Sequence, residues 1–339
     1  MSKILVTGGT GYIGSHTAVE LQEQGHEVII VDNLSNSQMD VLDNIIAITG
    51  IKPAFEKFDL YDRDKTLDFF RRHHDIDAVI HFAAYKAVGE SVEKPLMYYH
   101  NNIFSLINIL DGMCENKIDT LVFSSSCTVY GQPDELPVSE NAPIKKAMSP
   151  YGNTKQIGEE VIKDAINAHN FNAISLRYFN PIGAHPSAEI GESPLGVPLN
   201  LVPFVTQTAA GVRQQLSVFG NDYETRDGTN ERDYIHVVDV AKAHVIAVER
   251  LVKGKNKGNY EVFNLGTGTG STVLEVIQSF ERVADQKLNY KIVERRAGDV
   301  TAAFADTHKA NTELGWKTEK TLDDAIADAW RWEKKIRTI

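Results

Sequence analysis

Residues 3–16, KILVTGGTGYIGSH, decide the fold of this chain. The apolar run at residues 4–6 predicts a strand, four glycines follow within seven residues, and a helical pattern covers residues 15–24. Glycine lets the backbone turn sharply and lets a pyrophosphate approach it, and a helix N-terminus offers free N–H groups to the phosphates. The stretch therefore predicts a strand, a phosphate-binding turn and a helix of a dinucleotide-binding unit. An ordinary glycine turn is the alternative.

An acidic residue follows the second predicted strand. Residues 27–31 are mostly apolar and lead into Asp32, which comes 18 positions after Gly14. A carboxylate at this point of a dinucleotide-binding unit holds both hydroxyls of the adenine ribose. It would also repel a 2′-phosphate, so we predict NAD rather than NADP.

The bulk composition excludes several classes of protein. The chain has 339 residues and is 42% hydrophobic, which suits a large α/β unit with a smaller second lobe. A net charge of −11 argues against a nucleic-acid or anionic-membrane partner. No apolar run approaches the ~20 residues that span a bilayer, and no Cys/His cluster has metal-binding spacing. The immediate entry into a core strand and the presence of only Cys114 and Cys127 predict a cytoplasmic protein without disulfides.

Apolar and helical patterns alternate along the chain. Further apolar runs lie at residues 78–82, 121–123 and 173–176, with helical patterns at residues 65–72, 96–114 and 154–169. Such alternation predicts an α/β fold with a Rossmann-type, doubly wound parallel sheet, whose ligands lie beyond the carboxyl ends of the strands. We expect an NAD-binding domain over residues 1–180, with a returning segment near 234–263, and a smaller α/β substrate-binding lobe over residues 181–339.

Two short stretches carry candidate catalytic groups. Three serines, residues 124–126, follow the strand at 121–123, and Tyr151 and Lys155 are four apart on a helix that Pro150 is suited to begin. A nearby ammonium favours tyrosinate and lowers the tyrosine pKa, which makes Tyr151 a candidate general base. A serine-rich loop without a chemical role and a chance Y-x-x-x-K match are the alternatives. Cys127 has no paired histidine and is interpreted as a packing residue.

Four other features receive structural interpretations. Residues 264–270, NLGTGTG, lack the Gly-Lys pair of a phosphate-binding loop and are interpreted as a turn without a site role. Thr272 and Glu275 fit a capping box, and Asp239 is predicted to be the N-cap of a helix that follows a strand near residue 234. His81 and His236 lie in apolar runs and are interpreted as core histidines.

Together the motifs resemble those of the extended short-chain dehydrogenase/reductase family and, within it, the sugar-nucleotide epimerases. The resemblance covers nearly the whole chain through the stretches TGGTGYIGSH, VDNLSNS, HFAAYKAVGES, YYHNN, FSSSCTVYG, SPYGNTK, RYFNPIGAHPS, LSVFGNDY, RDYIHVVD, NLGTG and RRAGD. It implies that UDP-glucose and UDP-galactose are interconverted by oxidation at C4 with NAD, rotation of the 4-keto sugar and re-reduction, so that NAD is regenerated. It also implies a homodimer formed through residues 96–114 and the helix that carries Tyr151.

The resemblance assigns site residues by their positions in these motifs. The catalytic set is Ser126, Tyr151 and Lys155. The NAD contacts, besides Tyr151 and Lys155, are Gly8, Gly11, Tyr12, Ile13, Asp32, Asn33, Asn36, Ser37, Asp59, Leu60, Phe82, Ala83, Lys86, Asn101, Ser124 and Tyr178. The UDP-sugar contacts, besides Lys86, Ser126 and Tyr151, are Asn180, Asn200, Leu201, Phe219, Arg232, Arg296, Asp299 and Ala303.

The chain departs from the family pattern at two places. Ala84 and Tyr85 replace the Gly-Leu that often follows HFA, and we expect the extra methyl group of alanine to leave room for the cofactor. Ala303 stands where members restricted to UDP-glucose and UDP-galactose have tyrosine, whereas members with a small residue also admit 2-acetamido sugars. The resemblance therefore implies dual use of UDP-Glc/UDP-Gal and UDP-GlcNAc/UDP-GalNAc. Refilling of the space by other side chains is the alternative.

Three other functions compete with this one. A sugar-nucleotide 4,6-dehydratase would have an Asp-Glu pair after the strand-end threonine, whereas Thr128 is followed by Val129 and Tyr130. A dehydrogenase that exchanges its cofactor would produce net NADH. A non-catalytic NAD-sensing protein could share the fold, but the intact set of Ser126, Tyr151 and Lys155 argues against it.

Overall fold

The computed structural model describes residues 1–296 and 299–339. Its strands, in chain order, are β1 (Lys3–Thr7), β2 (Glu27–Asp32), β3 (Ala54–Lys57), β4 (Ala78–His81), β5 (Thr120–Ser126), β6 (Asn172–Tyr178), β7 (Asn180–Ile182), β8 (Leu216–Phe219), β9 (Glu231–Arg232), β10 (Tyr234–His236), β11 (Tyr260–Leu265), β12 (Ser271–Thr272), β13 (Tyr290–Val293) and β14 (Ala302–Ala303). Seven of them form one sheet in the order β3-β2-β1-β4-β5-β6-β11, and every pairing in it is parallel. The strand order reverses between β1 and β4, where ligands of doubly wound sheets bind. The predicted fold class is confirmed.

The helices of the described residues alternate with these strands. They are α1 (Tyr12–Glu23), α2 (Asp40–Thr49), α3 (Arg63–Arg72), α4 (Val88–Glu93), α5 (Pro95–Asn116), α6 (Pro150–His169), α7 (Leu201–Ala209), α8 (Val237–Val252), α9 (Val273–Ala284) and α10 (Leu322–Arg337). α1 begins three residues before the predicted start, directly after the glycine turn. α6 begins at Pro150 as predicted, because proline needs no N–H partner in a first turn and Ser149 Oγ accepts from Gly152 N at 3.1 Å. No helix of the described residues is long and apolar enough to cross a membrane.

The central sheet is buried on both faces. Ile4 and Val6 of β1 pack with α8 residues such as Val240 on one face, whereas Leu5 packs with α5 residues such as Ile109 on the other. Alternate residues of a strand point to opposite faces, so the apolar run of β1 serves two separate cores. Both faces being covered by helices fits a parallel sheet.

A separate apolar core supports the predicted second lobe. It joins α7, α9 and α10 with β8 through residues such as Val205, Phe280 and Ile326, all of them buried. The predicted returning segment lies in the first lobe, since β11 pairs with β6. The boundaries at residues 180 and 181 stay a prediction, which these two packing units support.

The predicted N-cap of α8 is wrong. His236 is the N-cap, with Nδ1 accepting from Val238 N at 3.1 Å, because pairing of β10 with β7 keeps the chain extended as far as this residue. Asp239 lies in the first turn instead, and its Oδ2 accepts from Glu319 N at 3.1 Å and Lys320 N at 3.0 Å. The Thr272–Glu275 capping box is confirmed.

Candidate active site

The glycine turn between β1 and α1 is closed by backbone contacts that leave no space for side chains. Gly8 has φ +68°, and a Cβ atom there would lie 2.8 Å from Ala83 N. A Cβ atom on Gly14 would lie 2.3 Å from Gly8 O. α1 follows with Gly11 at its N-cap, so no side chain of the cap accepts from the N–H groups of the first turn. The turn therefore fits a pyrophosphate group on the helix N-terminus, with Tyr12 and Ile13 in the first turn.

The polar loop after β2 gathers around Asp32. Asp32 Oδ1 accepts from Leu34 N at 2.8 Å, and Oδ2 lies 3.3 Å from Thr10 N of the glycine turn. Ser37 Oγ lies 2.7 Å from Thr10 Oγ1. These contacts place the carboxylate beside the phosphate-binding turn, as the predicted ribose contact requires.

The other predicted adenosine residues extend this region. Asn33 Nδ2 donates to Asp59 Oδ2 at 3.0 Å, which joins the loops after β2 and β3. Leu60 is buried, whereas Asn36 is exposed in the loop after β2. The sequence could not supply the Asn33–Asp59 contact, but it placed both residues just after neighbouring strands.

The three predicted serines belong to β5 itself. The strand extends to Ser126 because its pairing with β6 continues to Ser126 opposite Tyr178. Ser124 Oγ contacts the Tyr178 hydroxyl, and the Ser124 carbonyl accepts from Lys155 Nζ at 2.6 Å. The carboxyl end of β5 and the start of α6 therefore bring the predicted catalytic residues and Tyr178 into one buried place.

The expected lowering of the Tyr151 pKa is wrong for the protein alone. Burial raises the pKa of Tyr151 above its ordinary value, and the hydrogen bond with Ser126 only partly opposes this. The ammonium of Lys155 is directed at the Ser124 carbonyl, and its Nζ is 5.9 Å from the centre of the Tyr151 ring. Burial also lowers the pKa of Lys155 itself to about 8. The spacing correctly predicted that the two residues lie on one side of a helix, but it did not indicate how strongly burial raises the pKa of Tyr151.

Lys86 lies between the two lobes. Its Nζ is 3.2 Å from Glu192 Oε1 and 5.7 Å from the centre of the Tyr12 ring. The same Glu192 oxygen accepts from Asn200 Nδ2 at 2.6 Å, and Leu201 follows as the first residue of α7. Glu192 was not predicted as a site residue, although it connects two residues that were.

The remaining predicted NAD contacts lie on the elements that flank the cleft. Phe82 and Ala83 follow β4, where Phe82 N donates to Thr7 O at 3.1 Å. Asn101 lies on α5 and donates from Nδ2 to Asn102 Oδ1 at 2.9 Å. Asn102 in turn donates from Nδ2 to Tyr85 O at 3.0 Å, which holds the β4–α4 loop against α5.

Five of the predicted UDP-sugar residues form two groups of contacts in the second lobe. Ala303 of β14 pairs with Arg232 of β9. Arg296 Nη2 donates to Asp299 Oδ1 at 2.7 Å, and its guanidinium lies 5.6 Å from the centre of the Phe219 ring at the end of β8. Arg232 Nη1 donates to Glu231 O at 2.7 Å, and the guanidinium groups of Arg232 and Arg296 suit the oxygen atoms of a diphosphate. The intervening residues 297 and 298 lie outside the described residues.

Asp233, which sequence reasoning missed, connects the segments that carry these residues. Oδ1 accepts from both N and Oγ1 of Thr267 at 2.8 Å, and Oδ2 accepts from Ala305 N at 3.1 Å. Its backbone carbonyl accepts from Asn180 N at 3.0 Å. The turn at residues 264–270, interpreted as having no site role, is joined through Asp233 to the segments that carry Arg232 and Ala303. The sequence does place this carboxylate directly before the apolar run of β10. That position indicates a buried charge, which needs hydrogen-bond partners.

Comparison with known proteins agrees with this geometry. The sequence pattern of the NAD dependent epimerase/dehydratase family matches residues 4–266. The chain belongs to this family. Its cofactor is NAD, and the geometry of the glycine turn and Asp32 is compatible with the predicted contacts to it.

Three relatives illustrate the similarity. The UDP-glucose 4-epimerase of Bacillus subtilis (strain 168) is 49% identical over 331 residues, which are 97% of this chain and 96% of the relative. A UDP-glucose-4-epimerase structure from Stenotrophomonas maltophila, with bound NAD and formylated UDP-arabinopyranose, is 48% identical with a TM-score of 0.95, and the match covers 100% of this chain and 99% of that one. The UDP-Glc/GlcNAc 4-epimerase of Campylobacter jejuni is 36% identical with a TM-score of 0.85, and the match covers 99% and 100% of the two chains.

Proposed function

We propose that the protein is a UDP-glucose 4-epimerase, which interconverts UDP-glucose and UDP-galactose. The observation that carries this proposal is the meeting of Ser126, Tyr151 and Lys155 at the carboxyl end of β5, in the same sheet as the glycine turn after β1. The similarity to UDP-glucose 4-epimerases over nearly the whole chain supports the choice of substrate.

The side chains divide the chemistry among them. Tyr151 accepts the proton of the sugar 4-hydroxyl and returns it after the sugar has rotated. Ser126 holds the 4-oxygen and passes the proton to Tyr151. Lys155 contributes positive charge beside the phenol. Bound NAD⁺ would supply the acceptor for the hydride that leaves C4 of the sugar, and a further positive charge. Because burial alone raises the pKa of Tyr151, these positive charges are what favour its ionised form.

The second lobe holds the nucleotide while the hexose turns. Arg232 and Arg296 bind the diphosphate, Asp299 accepts from the uridine ribose, and Phe219 packs against the base. Asn180, Asn200, Leu201 and Lys86 border the sugar and diphosphate from the facing loops. Because the strong charged contacts go to the diphosphate, the 4-keto sugar can rotate without leaving the site.

We also propose that UDP-GlcNAc and UDP-GalNAc are substrates. Ala303 packs in the same small cluster as Cys127, which directly follows Ser126, so its side chain is close to the end of β5. A methyl group at this position leaves space that a phenol would fill, and an N-acetyl group can occupy it. The name of the Campylobacter jejuni relative shows that one member of the fold accepts both kinds of sugar.

Substitution Ala303→Tyr tests this specificity. It should lower turnover of the N-acetylated pair by at least ~10–200-fold, the effect of one misplaced group in a pocket, and change turnover of UDP-glucose far less. Product chromatography from each of the four sugars measures both activities. Equal loss of both activities, or no N-acetyl turnover in the wild type, would contradict the proposal.

We propose a homodimer formed through α5 and α6. Leu96 and Phe104 are 74% and 47% exposed, and with His100 between them they form one stripe of α5 at helical spacing. Phe104→Glu should convert the dimer to a monomer in sedimentation velocity. A monomeric wild type at micromolar concentration would reject the dimer.

Substitution Tyr151→Phe tests the proposed activity. It removes only the phenolic oxygen, so turnover should fall by at least ~10²-fold, the usual contribution of a general base. The purified variant should still contain NAD, measured by absorbance after denaturation. Unchanged turnover would reject the role of Tyr151, and a wild type that does not interconvert the two sugars would reject the function.

A further inference from the structure

A buried ion pair lies behind the carboxyl end of β5. Arg177 donates from Nε to Glu159 Oε1 at 2.9 Å and from Nη2 to Oε2 at 2.5 Å. Both side chains are 4% exposed. Ser125 Oγ donates to the same Oε1 atom at 2.6 Å. Removing two charges from water costs free energy, and the attraction between them often does no more than offset that cost. A gain in stability therefore does not by itself explain the pair.

Glu159 shares a helix with the proposed base. It lies one turn after Lys155 and two turns after Tyr151 on α6, so the three side chains lie along one side of that helix. All three are buried. Any movement of Glu159 relative to β5 therefore displaces the two catalytic side chains as well.

The partners of Glu159 lie on the strands that complete the site. Ser125 stands between Ser124 and Ser126 on β5, and Arg177 pairs with Ser125 across the sheet. Alternation turns Ser125 and Arg177 toward α6 while their neighbours face the opposite side of the sheet. Arg177 also donates from Nη1 to the Tyr130 hydroxyl at 3.0 Å. Glu159 of α6 thus connects this helix to β5 and β6 through hydrogen bonds with Ser125 and Arg177.

We infer that Glu159 is a positioning residue of the epimerase reaction, which holds Tyr151 against Ser126 and Lys155 against the Ser124 carbonyl through its own contacts with Ser125 and Arg177. This inference rests on the proposed function. It assigns a role to a buried carboxylate whose hydrogen-bond donors are Ser125 and Arg177.

The protonation of Lys155 gives this inference a readout that a purely structural role of Glu159 would not change. Glu159 raises the pKa of Lys155 and so opposes the larger lowering by burial. His81 of β4 is kept neutral, since burial lowers its pKa to about 3. The Phe123 ring of β5 lies 4.9 Å from Lys155 Nζ, and the phenol of Tyr151 is raised in pKa and uncharged in the protein alone. Tyr98 of α5 and Tyr178 of β6 are also phenols of raised pKa near Tyr151.

Two kinds of variant separate position from charge. Ser125→Ala removes one hydrogen bond to Glu159 and keeps its charge. Glu159→Gln keeps an oxygen that Ser125 can donate to, but leaves the Arg177 guanidinium buried without its partner. The double variant Glu159→Gln/Arg177→Met avoids that unpaired charge and is the one to use where the single variant does not fold.

The assay is the pH dependence of kcat for UDP-galactose. In the wild type, kcat should fall on the alkaline side as Lys155 loses its proton. Glu159→Gln should move this midpoint to lower pH, because Glu159 raises the pKa of Lys155, with little change in KM. Ser125→Ala should lower kcat several-fold and leave the midpoint in place. Loss of activity without a moved midpoint in the Glu159 variants, or wild-type kcat in Ser125→Ala, would overturn the inference.

A titration that needs no turnover separates this inference from the proposed function. The NMR signal of ¹⁵N-labelled lysine, assigned to Lys155 with a Lys155→Met control, reports its pKa in the NAD-loaded protein. The inference predicts a lower pKa for Lys155 in the Glu159 variants than in the wild type. Identical titrations would overturn it. A wild type without epimerase turnover would reject the proposed function instead, and the NMR comparison would still decide the role of Glu159.

Discussion

Replacing Asp233 by asparagine tests how the sugar pocket is held together. The carboxylate accepts two hydrogen bonds from Thr267 on Oδ1, and one from Ala305 N at 3.1 Å together with a longer one from Gly268 N at 3.4 Å on Oδ2. An amide has only one acceptor oxygen. If that oxygen keeps the Thr267 contacts, the amide NH₂ group faces the N–H donors of Ala305 and Gly268. One buried donor left without a partner costs ~1–3 kcal/mol, so with the weaker second contact we expect a loss of about 2–4 kcal/mol.

The assays for Asp233→Asn are urea denaturation and steady-state kinetics. Ala305 lies two residues after Ala303, and Asp233 directly follows Arg232, so KM for UDP-glucose should rise more than kcat falls. Asp222→Asn is the matched control, because that carboxylate is exposed and pairs with Arg295 at the surface, where loss of an ion pair changes stability little. An Asp233→Asn protein that is as stable as the wild type and binds the sugar normally would refute this account of the pocket.

Two further substitutions test the packing of the first lobe. Burial raises the pKa of Glu20 from 4.5 to about 7, so between these values the folded chain holds a proton that the unfolded chain has released, and stability falls as the pH rises through this window. Glu20→Gln should therefore stabilise the protein at pH 8 by ~1–2 kcal/mol, allowing for partial solvent screening, and should change its stability little at pH 5. Urea denaturation at the two pH values measures this, and an equal effect at both would contradict the prediction. A Cβ atom on Gly112 would lie 2.1 Å from the buried Phe70 ring, whereas none meets a neighbour at Gly89. Gly112→Ala should lower the melting temperature by several degrees, as an overpacking cost of ~1–3 kcal/mol implies, whereas the control Gly89→Ala should not. Equal melting temperatures of the two variants would contradict the packing around Phe70.

The features that the sequence predicted are those set by near neighbours along the chain. The glycine turn, the acidic residue after β2 and the alternation of strand and helix follow from local conformational preferences and apolar periodicity. Tyr151 and Lys155 were also placed correctly on one side of α6, because four residues make about one helical turn. The cap of α8 was predicted wrongly, since the end of β10 is set by pairing with β7, which lies more than 50 residues earlier in the chain.

The features that the sequence missed depend on distant parts of the chain. Asp233 meets Thr267 and Ala305, which are 34 and 72 residues away. Glu159 meets Ser125 at a separation of 34 residues. The raised pKa of Tyr151 likewise reflects how deeply the fold buries it. Asp233 and Glu159 are charged residues close to apolar residues in the sequence, which indicates that they are buried. Their spacing along the chain does not predict which distant residues they contact.

The most direct test of the central claim uses UDP-glucose that carries deuterium at C4, without added NAD. If Tyr151 removes only the hydroxyl proton while the C4 hydrogen leaves and returns as a hydride within one site, the UDP-galactose formed retains the deuterium at C4, even in ordinary water. NMR of the product measures that retention. Replacement of the deuterium by solvent hydrogen, or the absence of any UDP-galactose, would contradict the account.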